Sequence, residues 1–203
     1  NMAYEIDYIP VGDGEKGGNC IAMRFWDTQL GLPSQKVVVI DGGFKDSAEY
    51  LISHINSYYG TNKVDIVIST HPDMDHTSGL CIVLEKMEVS NLVMHLPWKH
   101  ASHIKKEFKD GRVTISGVKK DLEDSLSYAS DLEDIATKKK ITIHEPFTGM
   151  TAFNGVIHFL APTEEYYQSL LPHFRGTPEP LTSIGLLGMV KKMGETVSQK
   201  VQD

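Results

Sequence analysis

The stretch His71-Pro72-Asp73-Met74-Asp75-His76 packs four metal-ligating side chains into six positions. It lies between Val64-Asp65-Ile66-Val67-Ile68-Ser69-Thr70, which reads as a buried strand, and Ser78-Gly79-Leu80-Cys81-Ile82-Val83-Leu84, which reads as the opening of a helix. In an extended segment residues i and i+2 point the same way, so His71 and Asp73 can share one ion. As the chain turns into the helix, Asp75 and His76 swing to a neighbouring direction and can hold a second. The competing reading is a polar loop that happens to collect His and Asp.

Composition narrows the class around this run. A chain of 203 residues suits one domain with a real core, and 40% hydrophobic with 23% charged residues is ordinary for a globular protein. Nothing approaches the ~18 consecutive apolar residues of a membrane span, and no basic-then-apolar leader opens the sequence, so a cytoplasmic location is expected. Cys20 and Cys81 each sit in an apolar run, as buried free thiols do. A net charge of −7 argues against a general nucleic-acid coat protein but leaves a nuclease open, because charge near a metal matters more than the total.

Working outward, three strands are expected first, over 5–11, 20–26 and 36–40, separated by Gly12-Asp13-Gly14-Glu15-Lys16-Gly17-Gly18 and Gly31-Leu32-Pro33-Ser34. The first glycine-rich loop lacks a Gly-Lys-Ser/Thr ending and leads into a strand, which excludes a phosphate loop. Leu51, Ile52, Ile55 and Tyr59 give 47–59 a helical period, with Asp46 or Ser47 as cap and Gly60 as terminator. After the ligand run and its helix, a strand is expected over 91–96, closed by Pro97. Residues 101–140 read as mostly helical, with Val118, Leu122, Leu126, Ala129 and Ala136 on one face. Lys105, Lys106, Lys109, Arg112, Lys119 and Lys120 make this section basic, as a solvated face or, less simply, a phosphate patch. Strands at 141–144 and 156–160 flank a turn at Thr148-Gly149, and Pro162-Thr163-Glu164-Glu165 opens a short capped helix.

The order strand, acid, helix, strand, ligand loop, helix resembles the metallo-β-lactamase superfamily, whose signature is His-x-His-x-Asp-His. Here Asp73 replaces the second histidine. The variant, followed by Thr77-Ser78-Gly79-Leu80, looks most like the hydrolase domain of the bacterial DNA-uptake competence protein ComEC. Ile9-Pro10-Val11-Gly12-Asp13-Gly14, Val38-Val39-Ile40-Asp41-Gly42-Gly43 and Val156-Ile157-His158-Phe159-Leu160-Ala161-Pro162 look like that family's flanking segments. The resemblance implies an αββα sandwich over 4–175, incomplete at the C-terminus, with 176–203 an unassigned tail or a truncated continuation of the domain.

Carried over by position, His71 and Asp73 belong to a first metal site, Asp75 and His76 to a second, and Asp75 also partners the attacking water. Asp41 would orient the ligand loop rather than bind metal. A carboxylate at Asp73 hardens the first site, favouring Mn²⁺ more than an all-histidine site would, with Zn²⁺ also suitable. The expected activity is hydrolysis of a phosphodiester or similar anionic substrate, a small molecule or a nucleic acid. Amide, lactam or thioester hydrolysis is the alternative within enzymes, and a catalytically silent metal-binding or interaction module the alternative outside them. The superfamily's later bridging aspartate has no counterpart between Asp134 and Asp203, so turnover by this chain is expected to be low. Among His95, His100, His103, His144, His158 and His173, His95 is the first choice to complete the site, because it lies where a strand should end beside the ligand loop. A surface pair is expected of His100 and His103, and structural roles of His144 and His158.

Overall fold

The computed structural model describes residues 1–12, 17–107, 113–174 and 177. Its main sheet follows the sequence: β1 (Met2–Tyr8), β2 (Cys20–Asp27), β3 (Lys36–Gly42), β4 (Lys63–Ile68), β5 (Glu88–Val93) and β6 (Thr142–His144) lie side by side in that order. β2 runs antiparallel to both of its neighbours, β1 and β3, and β3 to β6 are parallel. Parallel neighbours need crossovers, and helices supply them. α1 (Lys45–His54) joins β3 to β4 and α2 (Met74–Lys86) joins β4 to β5. α3 (Ala101–Glu107), α4 (Ile115–Ser125) and α5 (Ser127–Lys139) lie between β5 and β6. A two-stranded sheet of β7 (Thr151–Ala152) and β8 (Ile157–His158) follows, then α6 (Glu164–Leu170).

Alternation along β3 sorts its side chains between two cores. Val37 and Val39 join Leu51, Ile55, Leu80, Leu84, Leu132 and Ala136 in a large cluster under the helices. Val38 faces the other way, with Phe25, Ile66, Ile68 and Val93, and the β7–β8 hairpin covers this patch through Phe153, Ile157 and Phe159. Phe25 and Phe153 meet edge to face with ring centroids 5.0 Å apart. On β1, Met2, Tyr4, Ile6 and Tyr8 stay exposed.

Element boundaries differ from expectation where local signals compete. The first strand occupies Met2–Tyr8 rather than 5–11, set by pairing with Cys20–Asp27. The helix expected from 47 starts at Lys45 after Phe44, without a side-chain cap, and runs through a π-helical turn, Ile55–Tyr59, before Gly60 ends it at φ +66°. The strand expected over 91–96 is Glu88–Val93. The apolar face of 118–136 is buried as read, but Leu126 breaks it into two helices. Thr163 does cap α6, accepting the Tyr166 N–H. Lys109, Arg112 and, apart from Thr177, the tail over 176–203 lie outside the described residues.

Because β3 to β6 are parallel, their C-terminal ends share one edge, where ligand sites of open α/β sheets form. Asp41 sits at the end of β3, Thr70 and His71 follow β4, His95 follows β5, and Glu145 follows β6. Among the described residues no helix is long and apolar enough to cross a membrane.

Candidate metal centre

Two glycines bring the ligand run against β3. A Cβ on Gly79 of α2 would lie 2.0 Å from the Gly42 carbonyl oxygen, and one on Gly42 would lie 2.5 Å from the Leu80 nitrogen. The Gly79 N–H donates to the Gly43 carbonyl at 3.0 Å. This contact presses the first turns of α2 onto the end of β3 and sets His76 beside Asp41. The ligand run thus straddles a helix start: Asp73 is the N-cap residue of α2, and Asp75 and His76 lie in its first turn.

Asp41 is buried and holds φ +53°, a left-handed conformation rare for a residue with a side chain. Its carboxylate accepts three hydrogen bonds that sustain this backbone. Oδ1 accepts the Thr70 N–H at 2.9 Å, and Oδ2 accepts the Thr70 hydroxyl at 2.6 Å and His76 Nδ1–H at 2.8 Å. Asp41, His71 and His76 form a group whose ligand-type atoms all lie within 4.8 Å of one another. Within that group Asp41 already accepts donors on both of its oxygens.

The two histidines turn their other nitrogens elsewhere. His71 Nε2 lies 3.7 Å from Asp73 Oδ2, and His76 Nε2 lies 3.5 Å from Asp75 Oδ2. The rings themselves are 3.8 Å apart by centroid. Two ligands each ~2.1 Å from one ion can be at most ~4.2 Å apart, so each His–Asp pair is spaced to share a cation. Zn²⁺ and Mn²⁺ both accept such mixed nitrogen and oxygen donors.

His95 is not brought into this group. Its ring stacks on Tyr167 at 4.2 Å, and its buried Nδ1 faces Glu145 Oε1 at 3.9 Å, beyond hydrogen-bond reach. The strand ends three residues before the expectation, which carries His95 past the β5 end toward α6. Nor are His100 and His103 a surface pair. His100 is buried and Nε2 meets Glu145 at 3.1 Å, while His103 Nδ1 is buried without a hydrogen-bond partner among the described residues. His144 is exposed and reaches Asn91 at 3.3 Å, and His158 and His173 are exposed.

Glu145 and Thr70 are the residues that sequence reading passed over. Burial works to raise the Glu145 pKa, but hydrogen bonding from His100 and the Leu96 N–H outweighs it and holds the carboxyl at about 2. Its position after the last parallel strand was the available signal. Thr70, exposed and adjacent to His71, offered only a hydroxyl next to a ligand candidate. Cys20 and Cys81 are buried and unpaired, and burial pushes both thiols up to about 12, which makes them inert. A cavity of about 330 Å³ opens beside the ligand loop, with His71, Thr70 and Pro72 on one wall and His95, Tyr167 and Phe174 on another.

A mixed α/β sheet with a histidine–carboxylate group at the ends of its parallel strands is the setting of this candidate metal site. The chain belongs to the metallo-beta-lactamase superfamily, whose family model matches residues 16–123. One solved structure with a similar backbone, a Thermotoga maritima protein described as a candidate metallo-beta-lactamase, is 12% identical with a TM-score of 0.42. That match covers 76% of this chain and 63% of the other, so this chain spans under two thirds of that relative's length. No curated protein matches the sequence.

Proposed function

We propose that this chain carries the metal site of a hydrolase acting on a phosphodiester or similar anionic substrate, as in the hydrolase domain of the competence protein ComEC. The observation that carries the reading is the pairing of each imidazole Nε2 with its own carboxylate, His71 with Asp73 at 3.7 Å and His76 with Asp75 at 3.5 Å. Those four residues would hold two cations, Zn²⁺ or Mn²⁺. Bound there, the cations would supply Lewis acidity, lowering the pKa of a water and neutralising an anionic transition state.

The chain's own residues supply the rest. Asp41 and Thr70 fix the rings, so the ligand geometry is set before an ion arrives. Asp75, in the first turn of α2, would accept the proton of an attacking water. The neighbouring cavity can take an apolar part of the substrate, leaving its anionic group at His71. Asp73 sets this site apart from an all-histidine first site, which favours phosphodiesters over amides, lactams and thioesters. The free thiols of Cys20 and Cys81 suit a reducing cytoplasm.

A second reading is metal binding or protein interaction without turnover, in which the histidine–carboxylate group holds an ion and does no chemistry. Calorimetric titration with Mn²⁺ and Zn²⁺, paired with hydrolysis of bis(p-nitrophenyl) phosphate, separates the two. Chelator-sensitive hydrolysis above background, however slow, supports the hydrolase. Binding that His76→Ala abolishes, with no hydrolysis, supports the silent module. Absence of binding overturns the hydrolase and the metal-binding module alike and leaves only protein interaction.

A further inference from the structure

We infer that Thr70 is a positioning residue that fixes the tautomer of His71, so that one carboxylate, Asp41, sets both histidines of the centre with Nε2 free. The inference follows from counting protons. Thr70 Oγ1 lies 2.6 Å from Asp41 Oδ2 and 2.9 Å from His71 Nδ1. A hydroxyl has one proton to donate, and a carboxylate oxygen only accepts. The shorter contact therefore takes the hydroxyl proton, and the longer one needs a proton from His71. His71 is then protonated at Nδ1, which leaves the lone pair on Nε2, the nitrogen facing Asp73.

His76 reaches the same state without an intermediary. Its Nδ1 lies 2.8 Å from the same Asp41 oxygen, which again can only accept, and its Nε2 faces Asp75. A neutral imidazole left to itself in water prefers the proton on Nε2, the form that cannot ligate through that atom. The network reverses this preference at both rings. Thr70 is itself held at two points, since its backbone N–H donates to Asp41 Oδ1 at 2.9 Å, and its branched side chain has few χ1 options. The His71 side chain is 42% exposed, and among the described residues the Thr70 hydroxyl is the hydrogen-bond contact of its Nδ1.

The tautomer can be read without metal and without turnover, which keeps this inference separable from the hydrolase reading on which its purpose rests. Long-range ¹H–¹⁵N correlation spectra of the metal-free full chain, recorded well above the ordinary imidazole pKa of ~6.5, distinguish Nδ1–H from Nε2–H rings. His71 and His76 should both appear as Nδ1–H. Thr70→Ser, which keeps the hydroxyl, should preserve this. Thr70→Val, which keeps the shape and removes the hydroxyl, should move His71 toward Nε2–H and leave His76 unchanged. Mn²⁺ and Zn²⁺ affinity should fall ~10-fold in Thr70→Val and stay within ~3-fold in Thr70→Ser. An Nε2–H His71 in the unmutated protein would overturn the inference, as would an unaltered His71 in a folded Thr70→Val. The spectrum of the unmutated chain decides the matter even if the valine variant does not fold. Absence of metal binding with His71 as Nδ1–H would defeat the hydrolase reading and leave the tautomer assignment standing.

Discussion

Two groups of one carboxylate and two histidines sit at the ends of neighbouring parallel strands, and they are built to opposite purposes. After β3 and β4, Asp41 receives the Nδ1 side of its imidazoles, directly from His76 and through Thr70 from His71, and both Nε2 atoms face carboxylates of the ligand run. After β5 and β6, Glu145 meets His100 Nε2 and His95 Nδ1, in a setting sealed by Tyr167 and Phe147. The same residue types therefore make a candidate ion site in one place and an internal brace in the other. What separates them is which nitrogen is already engaged, since His76, with its side chain 10% exposed, is as buried as His95 and His100.

The hardest blow to the first group comes through the backbone. Gly79→Ala would place a methyl 2.0 Å from the Gly42 carbonyl oxygen, so α2 must move off β3 and take His76 away from Asp41. Overpacking typically costs 1–3 kcal/mol, and a clash with backbone belongs at the upper end, about 3 kcal/mol. Urea unfolding of the variant measures it. A loss below about 0.5 kcal/mol would mean that the close approach of α2 and β3 is not what holds the centre together.

Exchanging the two carboxylates tests whether the groups really differ. Asp41→Ala should weaken Mn²⁺ and Zn²⁺ binding 10- to 100-fold, the cost of losing the partner that orients ligands. Glu145→Gln should leave metal affinity unchanged and instead lower stability by about 1–2 kcal/mol near neutral pH. The Glu145 pKa is depressed in the fold, to about 2 from an ordinary 4.5. A depressed carboxyl stabilises above its unfolded value and loses that contribution as pH falls through its folded value. The stability difference between the unmutated chain and Glu145→Gln should thus be full above about pH 4.5 and shrink toward pH 2. A gap that widens on acidification would reverse the assignment of Glu145 as a hydrogen-bonded carboxylate.

The first group was largely legible in the sequence and the second was not. His71, Asp73, Asp75 and His76 are neighbours in the chain, and Asp41 entered through the resemblance of Val38–Gly43 to the family's acidic motif, so sequence reading reaches most of the residues grouped here. Thr70 escaped because its role lies in the direction of one proton, which spacing does not encode. Glu145 is 45 to 50 residues from His100 and His95, and only the parallel pairing of β5 with β6 brings them together. The fold followed the same rule. The apolar runs of β3 and β4 and the Gly60 stop were plain, whereas the break at Leu126 left no mark, since an apolar residue continues the helical period on either side of it.

His95 offers the finest test, because it lines the same cavity as His71 yet belongs to the other group. Its ring lies nearly parallel to Tyr167, 4.2 Å away, with Nδ1 buried against Glu145. To reach the ligand run the ring would have to leave that stack, forfeiting roughly 0.5–1.5 kcal/mol of aromatic packing. His95→Asn should therefore cost about 1 kcal/mol of stability and leave Mn²⁺ and Zn²⁺ affinity within about twofold of the unmutated chain, as expected for sites without shared partners. Calorimetric titration of the folded variant measures the second quantity directly. A tenfold loss of affinity would show that His95 leaves Tyr167 to complete the centre, and the division between a site group and a bracing group would have to be redrawn along the cavity that joins them.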